Sequence, residues 1–231
     1  MKVQVATSLL EANDIIARDN RKLLAESGVY LLNLMSSPGS GKTTIIERLL
    51  RLEEEEAVLS DQSRRLKIGV IEGDIQGTKD AERVERYHIP VVQINTYGAC
   101  HLDARMVRAA LEDLPLSDLD LVFVENVGNL VCPAEFDIGE DLKAMVLSVA
   151  EGDDKPEKYP LMFKESALII LNKVDLLPYT DFNMDALDER VLSINPSAQV
   201  FKVSARTGDG MEDLYRWLKG RVLSKKCAIT T

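Results

Sequence analysis

The stretch Ser36-Ser37-Pro38-Gly39-Ser40-Gly41-Lys42-Thr43-Thr44 follows the apolar run Val29–Met35 and precedes Ile45-Ile46-Glu47-Arg48-Leu49-Leu50. An apolar run of strand length, two closely spaced glycines and then a helical repeat place a tight turn between a buried strand and a helix. Apart from Ser36, which stands where a first glycine is usual, the stretch fits G-x-x-x-x-G-K-S/T. Gly39 and Gly41 let backbone N–H groups converge on one anion, and the helix opening at Lys42 adds its positive end. Lys42 is placed to span a β- and a γ-phosphate. Ser37, Ser40 and Thr44 complete the cradle, and the Thr43 hydroxyl is left for Mg²⁺.

A strand and helix alternate from there on. The patterning gives strands at Lys67–Glu72, Pro90–Asn95, Leu119–Glu125, Ala144–Val149, Ala167–Leu171 and Gln199–Val203, with helices at Lys79–Tyr87, Leu102–Leu111, about Asp185–Ser193 and Met211–Leu223. Such alternation predicts an α/β fold: one P-loop NTPase domain, its mostly parallel sheet of about seven strands covered by helices on both faces. Before it, Leu9, Ala12, Ile16, Leu23 and Leu24 recur at near-helical spacing up to Gly28. An amphipathic helix over residues 7–26 packs on the domain or serves a partner. The resulting division is an N-terminal helical extension (1–27), a P-loop domain (28–224) and a tail (225–231). The run Glu53-Glu54-Glu55-Glu56 reads as the start of a solvated connection reaching about Arg65.

Charge and composition exclude several classes of function. With 28 basic and 38 acidic residues the net charge is −10, and no basic stripe interrupts it, which argues against nucleic acid or an anionic membrane as partner. No apolar run reaches the ~20 residues of a membrane span, and the first residues lack a signal-peptide core. A cytoplasmic protein is expected. Cys100, Cys132 and Cys227 cannot build a disulfide framework and are expected as thiols.

Two acidic residues stand at predicted strand ends, Asp74 in Ile71-Glu72-Gly73-Asp74 and Glu125 after Leu121-Val122-Phe123-Val124. Bound to a triphosphate, Mg²⁺ keeps several waters and takes one or two carboxylates and a hydroxyl. Thr43, Asp74 and Glu125 would suffice, with Lys42, Asp74 and Glu125 as the catalytic set. Glu125 also fits a simple loop cap. Glu125-Asn126-Val127-Gly128 has the spacing of a D-x-x-G element with Glu for Asp, so that Gly128 N–H can meet the γ-phosphate. The base is specified by Asn172-Lys173-Val174-Asp175. A carboxylate such as Asp175 accepts from both guanine N1–H and its amine, a donor pair adenine lacks. Asn172 braces that loop and the Lys173 stem covers the base. Val203-Ser204-Ala205 resembles a short S-A element whose N–H groups meet guanine O6. GTP/GDP is therefore the expected nucleotide.

Between these elements lie Cys100-His101-Leu102-Asp103 and Cys132-Pro133. Thiolate and imidazole suit Zn²⁺ or Ni²⁺, while a small buried filler and a helix-start cap account equally for the spacing. His88 and Cys227 have no such company and read as structural or incidental.

Taken with Ser36–Thr44, Glu72-Gly73-Asp74, Glu125–Pro133, Glu151-Gly152-Asp153-Asp154 and Asn172–Asp175, these residues resemble the HypB family of nickel-incorporation GTPases in nickel-iron hydrogenase maturation. The resemblance covers about residues 28–222. It implies a GTP- or metal-promoted homodimer with a Ni²⁺/Zn²⁺ site at the interface, built from Cys100, His101 and Cys132. It also implies nickel transfer with a HypA-like metallochaperone to the hydrogenase large subunit. Many bacterial members carry a Cys-rich N-terminal nickel motif; this chain has no Cys before Cys100 and only two His. The interface site is accordingly its one expected transition-metal site. The related urease-accessory GTPases share the P-loop and N-K-x-D but have Cys-Pro-His where this chain has Cys100-His101. A third alternative is a GTP-binding scaffold without turnover, because Asn129 stands where Ras-like GTPases hold a water-orienting Gln.

Overall fold

A computed structural model describes residues 2–59, 65–75 and 79–229. The apolar runs form strands β1 (Tyr30–Ser36), β2 (Ile68–Asp74), β3 (Val91–Asn95), β4 (Leu121–Glu125), β5 (Leu142–Ser148), β6 (Leu168–Asn172) and β7 (Gln199–Lys202). They pair in the order β3-β2-β4-β1-β5-β6-β7, every pair parallel. Unbroken apolar sequence is what a strand covered on both faces requires. The centre of the sheet shows it, since β1, β4 and β6 are buried along their full length.

Successive side chains leave a strand on opposite faces. Leu32, Leu34, Val70, Phe123, Val146 and Ile170 therefore share one core with α2 (Lys42–Leu59) and α9 (Met211–Ile229). On the other face Leu31, Ile71, Val122 and Val124 meet α1 (Lys2–Ser27) and α4 (Ala104–Glu112), while Met145, Leu147, Ile169 and Leu171 meet α7 (Pro160–Glu165) and α8 (Met184–Ile194). Short helices α3 (Lys79–Glu85), α5 (Cys132–Glu135) and α6 (Lys155–Lys158) occupy the connections. Among the described residues no helix is long and apolar enough to cross a membrane.

The expected elements are present, with boundaries moved by a few residues, and α9 runs on to Ile229 instead of ending at Leu223. Two larger corrections concern faces. The acidic run does not open a solvated connection, because α2 continues through it to Leu59; residues 60–64 of the expected connection lie outside the described residues. Glu53 points inward and is 2% exposed. A buried carboxylate needs donors, and Glu53 has the Leu66 N–H (2.8 Å), the Tyr215 hydroxyl (2.6 Å) and Lys219 (3.3 Å). Burial, then the hydrogen bonds to Glu53 and Glu56, push the Tyr215 phenol well above its ordinary value, so it remains a donor at all physiological pH.

The second correction is the stripe of α1. The helix packs on the domain, but Ala12 faces solvent, and the buried line is Asn13, Ala17, Asn20 and Leu24. Two asparagines hold buried positions because the backbone opposite offers unpaired groups. Asn13 donates to Asp137 O (2.7 Å) and accepts from Ala104 N (2.9 Å), an orphan donor at the start of α4. Asn20 donates to Ala104 O (2.8 Å) and Ile138 O (3.0 Å). The Asn13→Ala variant strands one buried donor and one acceptor, and is expected to lose about 1–3 kcal/mol of stability in urea denaturation with guanine-nucleotide affinity unchanged.

Candidate functional site

The turn between β1 and α2 is held open by its own side chains. Lys42 Nζ donates to Ser36 Oγ (3.0 Å), and Ser36 Oγ donates to Ser37 O (2.7 Å). Ser36 has no positive φ. Glycine is therefore not required at that position, and a hydroxyl instead parks the lysine ammonium. Gly41 is required on two counts: its φ is +103°, and a Cβ would stand 2.5 Å from Asn172 Nδ2. Ser40 donates to Glu151 Oε1 (2.6 Å), and Glu151 also accepts from Ser148 N (2.9 Å) in a capping box closing the end of β5. Glu151 is a supporting residue that sequence reasoning missed; the Ser148-x-x-Glu151 spacing carried the signal.

A cleft of about 460 Å³ opens above this turn, bounded by Pro38, Lys42, Thr43, Asp74, Glu125 and Gly128. Thr43 Oγ1 donates to Glu125 Oε1 (2.9 Å), and Lys42 Nζ lies 4.0 Å from the same oxygen. The register sets Glu72 directly beside Glu125, and Gln93 directly beside Glu72. Glu72 is 2% exposed, whereas Asp74 is exposed at the lip of the cleft, its Oδ1 accepting from Ile75 N (2.6 Å). So the carboxylate next to Glu125 is Glu72, which sequence reasoning passed over for the strand-end Asp74. These side chains offer hard oxygens only, the donor type Mg²⁺ prefers.

Arg83 reaches the same cleft from α3, donating to Thr44 Oγ1 (3.3 Å) and Glu47 Oε2 (2.6 Å). The sequence showed no arginine beside the phosphates because nothing local ties α3 to α2.

At the opposite end of the P-loop the Asn172–Asp175 loop docks directly. Asn172 donates to Ser40 O (2.9 Å) and accepts from Ala205 N (3.1 Å). Lys173, left-handed with φ 63°, donates to Gly39 O (2.7 Å). Asp175 Oδ1 accepts from the Ser204 hydroxyl (2.6 Å). The Ser204-Ala205 segment closes against the same loop: Ser204 N donates to Asp209 O (2.9 Å) and Ala205 N to Asn172 Oδ1 (3.1 Å).

The cysteine cluster is assembled by loops that leave β3 and β4. Cys100, His101 and Cys132 bring their ligand atoms within 4.8 Å of one another, with the two sulfurs 3.2 Å apart. Neither His88 nor Cys227 joins it. The His101 ring lies 3.9 Å from the Phe136 ring. Burial lowers the His101 pKa against the pull of Asp103 and Glu135, keeping the imidazole neutral at pH 7 and its lone pair available. The hydrogen bond with Cys100, then burial, raise the Cys132 thiol. Two soft sulfurs and an imidazole fit Ni²⁺ or Zn²⁺.

A Lys42-Thr43 phosphate cradle with carboxylates on the neighbouring strand and an N-K-x-D loop beside it defines a P-loop GTPase. The family described as CobW/HypB/UreG, nucleotide-binding domain, matches residues 30–202, and the chain belongs to it. It is 49% identical to the hydrogenase maturation factor HypB of Rhizobium leguminosarum bv. viciae, over 94% of this chain and 70% of that one. The crystal structure of HypB from Helicobacter pylori in complex with nickel superposes with a TM-score of 0.83 at 36% identity, over 94% of this chain and 96% of that chain. HypB from Archaeoglobus fulgidus gives 0.83 at 38% identity, over 92% and 100%.

A Cβ at Gly128 would lie 2.8 Å from the backbone nitrogen of Pro38. Gly128→Ala must therefore push the loop after β4 off the P-loop. Overpacking is expected to cost about 1–3 kcal/mol of stability, lowering the melting temperature by several degrees, and the displaced loop is expected to weaken nucleotide affinity in a fluorescent GTP-analogue titration.

Proposed function

We propose that this chain is a GTP-hydrolysing metallochaperone that delivers nickel to the hydrogenase large subunit during maturation. One observation carries the reading: the Cys100-His101-Cys132 cluster stands on loops whose other ends are the floor of the nucleotide cleft. Nickel is the cargo. Lys42 and the N–H groups of the 37–44 turn bind the phosphates, and Gly128 N–H meets the γ-phosphate. Thr43, Asp74 and Glu125 would hold Mg²⁺, with Glu72 beside them, and the ion would supply neutralisation of the charge developing on the phosphates. Asp175 selects guanine, its carboxylate oriented by Ser204.

GTP draws two copies together across the edge that bears the cysteines, and each copy completes the other's metal site. Hydrolysis loosens the pair and frees the ion toward the large subunit, in concert with a HypA-like partner in the cytoplasm. Zn²⁺ is the competing occupant of the same ligands.

Three outcomes test this. Asp175→Asn replaces one acceptor with a donor; GTP affinity is expected to drop while xanthosine triphosphate gains, and unchanged preference in paired titrations would remove the assigned base contact. Unassisted turnover is expected on the order of 10⁻⁴ to 10⁻² s⁻¹, abolished by Lys42→Ala and crippled by Glu125→Ala in single-turnover phosphate release. The protonated Cys132 thiol must lose its proton to bind metal, so Ni²⁺ affinity is expected to rise with pH between 6 and 8, by about one log unit per pH unit for each thiol proton displaced. Cys132→Ala should flatten that slope and leave GTP binding intact.

A further inference from the structure

Asn129 follows Gly128, at the position where a water-orienting side chain would be sought. Its side chain is turned the other way. Asn129 Nδ2 donates to Cys100 O (3.2 Å), and Asn129 Oδ1 accepts from Val131 N (2.9 Å), the residue before Cys132. One amide thus clasps both cysteine-bearing loops, while its own backbone continues from the glycine that abuts Pro38 of the P-loop.

We propose that Asn129 is the positioning residue through which the nucleotide cleft and the cysteine cluster sense each other. The proposal rests on the nucleotide-gated reading above.

The neighbouring Asn126 shows why the link runs through Asn129. Asn126 is 1% exposed; it accepts from Leu102 N (3.1 Å) and Val127 N (3.0 Å) and donates to Asn33 Oδ1 (3.1 Å). Three bonds inside the core fix one end of the segment. Beyond Gly128 the Asn129 side chain bonds to backbone of both cysteine-bearing loops and also contacts the Cys132 thiol. A hydrogen bond already at 3.2 Å ceases to be one beyond about 3.6 Å. A shift of a few tenths of an ångström at Gly128 toward or away from a γ-phosphate therefore either breaks the clasp or carries Cys100 and Cys132 with it. The two sulfurs are 3.2 Å apart, so a comparable change in their spacing alters how both can face one ion. Linkage makes the effect mutual: metal held by the cysteines must bias Gly128 by the same factor.

The test is a set of six affinities: Ni²⁺ titrated into the full chain bound to GDP and to a non-hydrolysable GTP analogue, followed by thiolate-to-nickel charge-transfer absorbance, for the wild type and for two variants. Asn129→Ala removes both bonds. Asn129→Asp keeps an acceptor for Val131 N and loses the donor to Cys100 O. In the wild type the ratio of the two Ni²⁺ affinities is expected within about 5- to 150-fold. In both variants it should fall to within about twofold of unity, with nucleotide-free Ni²⁺ binding and metal-free GTP binding retained. A variant that keeps the wild-type ratio overturns the proposal, as does loss of Ni²⁺ binding in all nucleotide states, which would make Asn129 part of the metal site itself. If the wild type shows no difference between GDP and the analogue, the nucleotide-gated reading fails and the proposal with it. Should Asn129→Ala not fold, the aspartate variant alone decides between these outcomes.

Discussion

The parallel pairing of β1 with β4 on one side and β5 on the other positions everything this protein uses. It sets Leu34 against Glu125 and Ser36 against Val146, so the P-loop leaves the sheet between one strand ending in a carboxylate and another ending in a capping box. The polar contacts of the turn then follow from proximity. Thr43 and Lys42 face Glu125 on one flank, and Ser40 meets Glu151 on the other. A shift of either register by one residue would turn these side chains to the opposite face, since alternation along a strand has period two.

The same arrangement explains how two chemistries of unlike hardness share one small domain. Carboxylate and hydroxyl oxygens line the cleft at the ends of β2 and β4, and the sulfurs and imidazole of Cys100, Cys132 and His101 lie farther along the segments that leave β3 and β4. Asn126 and Asn129 fill the interval between them. Their bonds to Leu102 N, Cys100 O and Val131 N tie the paths of the loops to one another. The GTPase cleft and the metal cluster are in this sense one rim of the sheet read twice.

Several buried polar groups carry the fold's remaining demands. Asn13 and Asn20 close the backbone at the start of α4, and Glu53 holds Leu66, Tyr215 and Lys219 around a single carboxylate. Each would be costly alone in an apolar interior. Each is bonded to groups distant in the chain, which is why a local pattern misreads them.

The sequence by itself determined the class of fold and the strand-to-helix turn at Ser36–Thr44, and it singled out Asn172–Asp175 and the Cys100, His101 and Cys132 that the fold brings together. These features are local: a turn of a few residues with its flanking runs, or a short loop directly after an apolar strand, expresses its geometry without the rest of the chain. Tertiary structure alone decided which acidic residue stands beside Glu125, because Glu72 and Asp74 lie on the same side of β2 and only the pairing with β4 shows that the strand-end residue overshoots the row. It likewise placed Arg83 in the cleft, turned Glu53 inward, occupied the N–H groups of Ser204 and Ala205, and set Asn129 against Cys100. In each case the partner lies on another element of the chain, and side-chain direction is fixed by packing between elements, on which local spacing is silent.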